Sequence, residues 1–298
     1  MTDTGKSIGE LYKEADEKSI GNAERCRRFT AVSSFIATGI AVSFLLYDEI
    51  NFYGMIFVCG LLLWALFAIF RMAEKSGCHK AYLENRLLAE GLRVQNYLFM
   101  AGMDRSVASL VPWTWKHDLP HILNILEAVY KENRKDISNE RADSLKESWI
   151  RDQKEYHIMA IVRTKEKLRR NSRIVKSATF LTILVYACTL FFEIIWGGLF
   201  GQMMFMDPVL IDTLRTIFKV TVGSLSAATV FAGAYYGKFS LEDTLAAHER
   251  MAALFETKEK ETVNGLDEKT IIYLAAEELS ENITWFAYQS KNGPEISL

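Results

Sequence analysis

FYGMIFVCGLLLWALFAIFRMAEKSGCHKAYLENRLLAEGLRVQNYLFMAG, residues Phe52–Gly102, joins two kinds of helix in one run. The first part, to Phe70, is apolar on every side and holds no proline or charge before Arg71. It approaches the length of about 20 residues that crosses a bilayer. The second part, Ala81–Gly102, is amphipathic. Leu83, Leu87, Leu88, Leu92, Val94, Tyr97 and Leu98 recur mostly at helical three- and four-residue steps. Glu84, Arg86, Glu90 and Arg93 are set among them, and Arg86–Glu90 and Glu90–Arg93 are spaced to meet on one face. The run predicts a helix that leaves a membrane, continues into the cytosol and stops near Ala101–Gly102, where glycine takes the left-handed conformation that ends helices. Its charges suit either a solvated face or a polar seam between packed helices. The seam is the better reading, because a second long helix is expected beside it.

Outward from this stretch, three more runs reach spanning length: Phe29–Tyr47, Ala178–Phe200 and Ile217–Tyr236. Only residues 48–51 separate the first from Phe52–Phe70, so the two form a hairpin. Gly201–Thr216 links the other two in a second, looser hairpin. Basic residues crowd the same ends of all four: Lys18, Arg25, Arg27 and Arg28; Arg71, Lys75 and Lys80; Arg163 to Lys176; and Lys238. The hairpin loops carry only Arg215. The positive-inside bias therefore puts both termini and the long middle section in the cytoplasm of a multi-pass inner-membrane protein. That one hairpin is instead a buried helical pair in a soluble domain fits poorly, since the two pairs have the same length and the same charge flanks. No secretory signal is expected, since the first 28 residues lack an apolar core.

The predicted fold is an all-α membrane protein with two transmembrane hairpins and a cytoplasmic helical bundle. Its parts are an amphipathic N-terminal helix (1–28), hairpin 1 (29–71), a stalk and insert (72–176), hairpin 2 (177–237) and C-terminal helices (238–298). In the first part Ile8, Leu11, Tyr12 and Ala15 share a face. In the insert, Trp113 and Trp115 are expected to anchor an ordered turn. Asp118 is read as an N-cap, with Pro120 in the first turn of a helix to Lys131. After a charged break, a long helix from about Ser144 enters the third span, with Trp149, Gln153, Tyr156 and His157 along one side. C-terminal helices cover Leu241–Glu259, with Leu245, His248, Ala252 and Phe255 on one side, and Glu268–Gln289, with Ile271, Leu274, Leu279 and Trp285. A loop at Asn264–Gly265 separates them, and Pro294 falls in a polar tail.

Overall net charge is −2 and excludes little. The four cysteines, Cys26, Cys59, Cys78 and Cys188, have no metal-ligand spacing, and a reducing cytosol argues against disulfides. His117 and His121 are four apart, but Pro120 lies between them and no third ligand is evident, so no metal or other cofactor is expected. There is no P-loop, nucleophile elbow, zinc signature or facing acid pair, which argues against an enzyme. Arg163, Lys165, Lys167, Arg169, Arg170 and Arg173 form a basic run. It reads as topology signal, with anionic lipid or a polyphosphate nucleotide as the alternative; no nucleic acid is expected. Glu193 is the clear acid within a span. Either it pairs with Lys219 at similar depth or it faces a water-filled path that favours cations. The fourth span is rich in small residues, among them Ser224 and Ala227 and the GxxxG pair Gly233 and Gly237, so it is the expected packing helix of a homo-oligomer or its pore.

LLAEGLRVQNYLFMAG after a hairpin, SWIRDQKEYH before a second, and AAEELSENITWF near the end occur in that order. In this the chain resembles the SLATT-like, SLOG-associated membrane modules of bacteria. The resemblance implies an oligomeric inner-membrane effector of nucleotide-signal-linked antiphage or conflict systems, a pore or ion channel that perturbs the membrane. It implies a structural or gating role for Ala89, Glu90, Leu92, Arg93, Gln95, Trp149, Gln153, Tyr156, His157, Glu281, Asn282 and Trp285. Arg86 joins this seam by its spacing from Glu90. Many such modules carry an N-terminal sensor; with 28 residues before the first span, the signal is expected from a separate cytosolic sensor or synthase, or from direct binding to the bundle. The tail after Trp285 lacks the arginine-rich ending associated with the group. A non-conducting scaffold that tethers a cytosolic partner is the competing function.

Overall fold

The computed structural model describes residues 6–50, 52–137, 145–195, 207–237, 241–262 and 266–292. Among them the chain is helical, with no strand. The long helices are α1 (Ile8–Ile50), α2 (Gly54–Ser76), α3 (Cys78–Met100), α4 (Pro120–Asn133), α5 (Asp152–Ile195), α6 (Pro208–Gly237), α7 (Leu241–Glu261) and α8 (Glu268–Asn292). Single turns at Val107–Leu110 and Trp113–Lys116 join α3 to α4, and a π-helical stretch, Lys146–Arg151, leads into α5. Residues 196–200 at the expected end of the third span, the loop to 206, Lys238, Asn264–Gly265, Pro294 and the charged break beyond 137 lie outside the described residues.

Local chemistry sets the helix ends. Ser7 and Glu10 form a capping box: the Glu10 N–H donates to Ser7 Oγ (3.3 Å), and the Ser7 N–H donates to Glu10 Oε2 (2.9 Å). Asp207 accepts from the Val209 N–H (3.1 Å) ahead of α6, and Asp267 from the Thr270 N–H (3.0 Å) ahead of α8. The expected stop at Ala101–Gly102 is present. Gly102 has φ +73°, its N–H donates to the Phe99 carbonyl (3.0 Å), and the Met103 N–H donates to the Leu98 carbonyl (2.9 Å). That pair of bonds is a Schellman closure.

Other features depart from the expectations. α2 does not run on into α3: Gly77, with φ +55°, breaks them apart. The N-terminal amphipathic segment is no separate helix, because α1 is continuous from Ile8 to Ile50. The N-cap of α4 is Leu119, with no side-chain capping bond, so Asp118 does not cap; Pro120 does start the helix. Trp115 packs against the core, but Trp113 is exposed with the ring of His117 beside it (centroids 5.3 Å), so it anchors nothing. Cys26 and Cys78 form a disulfide, against the reading of four free thiols.

The chain divides into two compact units. The first contains residues 1–26, 77–166 and 240–295. Its core is built on α3, whose Leu87, Leu92, Val94, Leu98 and Phe99 meet Leu126 and Val129 of α4, Leu274 and Leu279 of α8, and Phe255 of α7. Ile8 and Ala15 of α1 are buried in the same core. The second unit contains residues 27–76 and 167–239. Four helical segments, Ile8–Ile50, Gly54–Met100 (α2 and α3 taken together across the break at Gly77), Lys146–Ile195 and Pro208–Gly233, are long and apolar enough to cross a membrane. Large apolar side chains of the second unit face outward: Phe57 is 81% exposed and Trp64 70%. In water such a surface is unfavourable, and a hydrocarbon phase accepts it.

Candidate functional site

The site grows from Glu90, in the middle of α3. A carboxylate there is 1% exposed, and its cost is offset by cations one turn to either side. Arg86 lies 2.5 Å from Glu90 Oε1 and Arg93 2.5 Å from Oε2. Arg93 also reaches Glu278 of α8 at 2.6 Å, and the Trp149 Nε1–H donates to the other Glu278 oxygen at 3.0 Å. Arg86 donates to Asp16 of α1 (3.1 Å) and to the Tyr156 hydroxyl (3.3 Å). Tyr97 stacks on Trp149 (centroids 4.9 Å, 13° between planes), and Gln153 Nε2 donates to the Tyr97 hydroxyl at 3.2 Å. Behind them His157 of α5 and His248 of α7 share a hydrogen bond between their Nδ1 atoms at 3.0 Å.

The electrostatics follow from burial. Burial pushes the Glu278 carboxyl up, and Arg93 and the indole N–H act against it. Burial, with Glu90 and Glu278 nearby, pushes Glu281 up to about 7. Arg93 would be lowered by burial, but Glu90 and Glu278 hold it above the usual guanidinium value. Burial brings His157 down to about 3, with help from His248 and Arg93, and lowers His248 as well. Both imidazoles are therefore neutral at pH 7, one donating and the other accepting. Burial takes the Tyr97 phenol up to about 12.

Beside the network is a cavity of about 500 Å³, walled in part by Tyr12, Asp16, Arg86, Arg93, Gln153 and Tyr156. That is within the size of small-molecule sites. Gln153 Oε1, Arg93 Nε and His157 Nε2 are buried without a hydrogen-bond partner among the described residues. Among those residues no three His, Cys, Asp or Glu side chains are grouped to hold a metal. The arrangement holds opposite charges of α1, α3 and α8 together, with the neutral side chains of Gln153, Tyr156 and His157 of α5 beside them.

Most of the expected seam is assembled: Arg86, Glu90, Arg93, Trp149, Gln153, Tyr156 and His157. Two members are elsewhere. Gln95 is fully buried but ties down the following loop, donating to the Arg105 carbonyl (3.0 Å) and accepting from the Val107 N–H (2.8 Å). Trp285 packs edge-on against Tyr82 (5.7 Å). On α7 the buried face is Ala247, Met251 and Phe255, with His248 half-buried beside it, so Leu245 and Ala252 are off its centre. Glu278, Tyr12 and Asp16 were not expected. The core position of Glu278, though not its partners, is legible from the Ile271, Leu274, Ala275 register of α8 that it continues.

In the apolar unit the Glu193–Lys219 pair, one of the two readings for Glu193, is not the one formed. Glu193 is held by Arg215 through two bonds of 2.6 and 2.8 Å, and Lys219 pairs with Glu49 of α1 at 3.1 Å. Arg215 is one turn nearer than Lys219 to the start of α6, and its fork matches a carboxylate in two places. Thr182 meets Thr229 across α5 and α6 at 3.4 Å, while each also bonds a carbonyl of its own helix. Ser224, Ala227 and Gly233 are half-buried and Gly237 ends α6. A Cβ on Gly223 would come 2.7 Å from Leu45 of α1, whereas one on Gly233 meets no described atom within 4 Å. Arg163, Lys165, Lys167, Arg169, Arg170 and Arg173 are exposed along α5, with Lys165 paired to Glu249 (2.8 Å). No family model, curated protein or solved structure matches the chain.

Proposed function

We propose that this chain is an oligomeric effector of a bacterial inner membrane, in which a cytoplasmic helical bundle controls two transmembrane hairpins and the assembled spans permeabilise the membrane. One observation carries the reading. α1 and α5 each run unbroken past the boundary between the two units, which falls after Cys26 and after Glu166. A helix is stiff over such lengths, so a shift of α1 or α5 in the bundle has a direct path into the spans. The paired charges of Glu90, Arg93 and Glu278 give the bundle a discrete arrangement to leave or keep, as a switch requires. The resemblance to SLATT-like modules agrees with this, and with an activating signal supplied by a separate nucleotide-sensing protein. In this reading the contact between protomers uses the open Gly233 face of α6, and the exposed basic run of α5 faces anionic lipid.

A second reading, a non-conducting scaffold that tethers a cytosolic partner, is favoured by the ion pairs Glu193–Arg215 and Lys219–Glu49, which leave those charges satisfied within the protomer. Liposome flux separates the two. The purified full chain is reconstituted at several protein-to-lipid ratios, and efflux of potassium and of a small dye is recorded. The effector reading expects efflux that rises faster than linearly with protein, as oligomers form. An assembled oligomer that stays impermeable to both overturns it in favour of the scaffold.

A further inference from the structure

We propose that Cys26 and Cys78 are a reversible oxidation site, whose disulfide fastens α1 to the start of α3 in one redox state and frees it in the other. The two residues are 52 positions apart, with Cα atoms 5.8 Å from each other and a bond between the sulfurs. Cys78 opens α3 directly after Gly77, the residue whose positive φ breaks α2 from α3. The bond is therefore set where one residue decides the course of the chain, and the ring it closes encloses residues 27–77. The inference rests on the proposed orientation, with the basic ends of the spans in a reducing cytosol. There a disulfide persists only while its exchange with the thiol pool allows.

Exchange proceeds in two displacements with a small thiol such as glutathione. A glutathione thiolate attacks Cys26 sulfur, a glutathione–Cys26 bond forms, the Cys26–Cys78 bond breaks, and Cys78 leaves as a thiolate that takes a proton. A second thiolate attacks the glutathione sulfur of that mixed disulfide. Oxidised glutathione departs and Cys26 takes the remaining proton. Two electrons pass from two glutathiones to the protein, and the reverse sequence reoxidises it. Cys26 is the point of entry because it is the less buried, 9% exposed against 3% for Cys78. Arg25, Arg27 and Arg28 lie exposed around it, and positive side chains draw in an anionic thiolate.

The test uses the full chain in lipid nanodiscs with Cys59→Ser and Cys188→Ser, so that only this pair reports. The protein is equilibrated with reduced and oxidised glutathione at graded ratios, and free thiols are trapped with a maleimide and weighed. Expected is a passage from no label to two labels as the reduced form increases, retraced on reversal, with an apparent melting temperature about 10 °C lower in the reduced state. Cys26→Ser and Cys78→Ser should remove that redox dependence. Two labels at every ratio, or none in excess reduced glutathione without denaturant, overturns the proposal. Orientation is read separately by a membrane-impermeant maleimide on Glu17→Cys in a cysteine-free chain. Labelling confined to inverted vesicles supports it, and labelling from the outer face overturns the orientation and this inference with it.

Discussion

Replacing Glu90 by alanine removes the buried carboxylate that Arg86 and Arg93 share, leaving Arg86 with Asp16 and Arg93 with Glu278 as their remaining acidic partners. Breaking a buried pair from one side costs about 3–5 kcal/mol. Glu84, one and a half turns away, has only a 3.8 Å contact with exposed Lys80, and its removal should stay within about 0.5 kcal/mol. Melting of the two variants in nanodiscs checks the contrast; equal midpoints would remove the network's claim to stability. Protons test the same residues from another side. Glu281 titrates at about 7 in the folded chain against an ordinary 4.5, so its share of stability is complete below pH 4.5 and is lost as pH rises through 7. His157 titrates at about 3 against an ordinary 6.5, so its share is complete above pH 6.5 and is lost as pH falls toward 3. Glu281→Gln should therefore raise the melting temperature at pH 8 and leave it unchanged near pH 4. His157→Asn should flatten the acid limb alone. The membership of Arg86, Glu90 and Arg93 was readable because helical spacing fixes which side chains share a face. Glu278 escaped because its partner is 185 residues away, and helical periodicity reports a core position without saying what stands opposite.

At the scale of elements, the four apolar helices were legible from length and composition, and so was the end of α3. Gly102 takes φ +73°, where a Cβ is disfavoured, so Gly102→Ala should cost about 1–2 kcal/mol and loosen the loop that Gln95 holds. Faster hydrogen exchange at Met103 and Val107, with the rest of α3 unchanged, is the expected record. Gly77 was not legible in the same way. It sits after a run with no proline, and a lone glycine within a helical pattern is usually tolerated, so nothing local announced φ +55°. The disulfide was missed for a different reason. Cysteine spacing of 52 carries no signal of its own, and a reducing compartment argues against a bond that only the folded proximity of the two residues makes possible. Arg215 as the partner of Glu193 is not legible in the sequence, because depths along two antiparallel helices match only to within about one turn, which is the distance between Arg215 and Lys219.

At the scale of the whole molecule, α1 is 43 residues and so about 65 Å long, twice the about 30 Å of a bilayer core. Nearly half of it belongs to the polar unit. That unit is assembled from three separated stretches, 1–26, 77–166 and 240–295, with the apolar helices threaded between them. A chain cut after Thr262 keeps all four apolar helices but loses α8, and with it Leu274, Leu279 and Glu278. It should still sediment with membranes, yet show no cooperative melting and disappear quickly in a pulse–chase. A truncated chain as long-lived as the full one would show that α8 is dispensable. The interleaving also orders events during synthesis. Arg93 emerges from the ribosome early, while Glu278 follows 185 residues later, after every apolar helix has been made. At about 5–20 residues per second, the arginine waits roughly ten seconds or more for its carboxylate. Throughout that interval the nascent bundle exposes an unfinished core to chaperones and proteases. Completion of the last helix is thus the step at which Arg93 and the indole of Trp149 first meet the carboxylate they share.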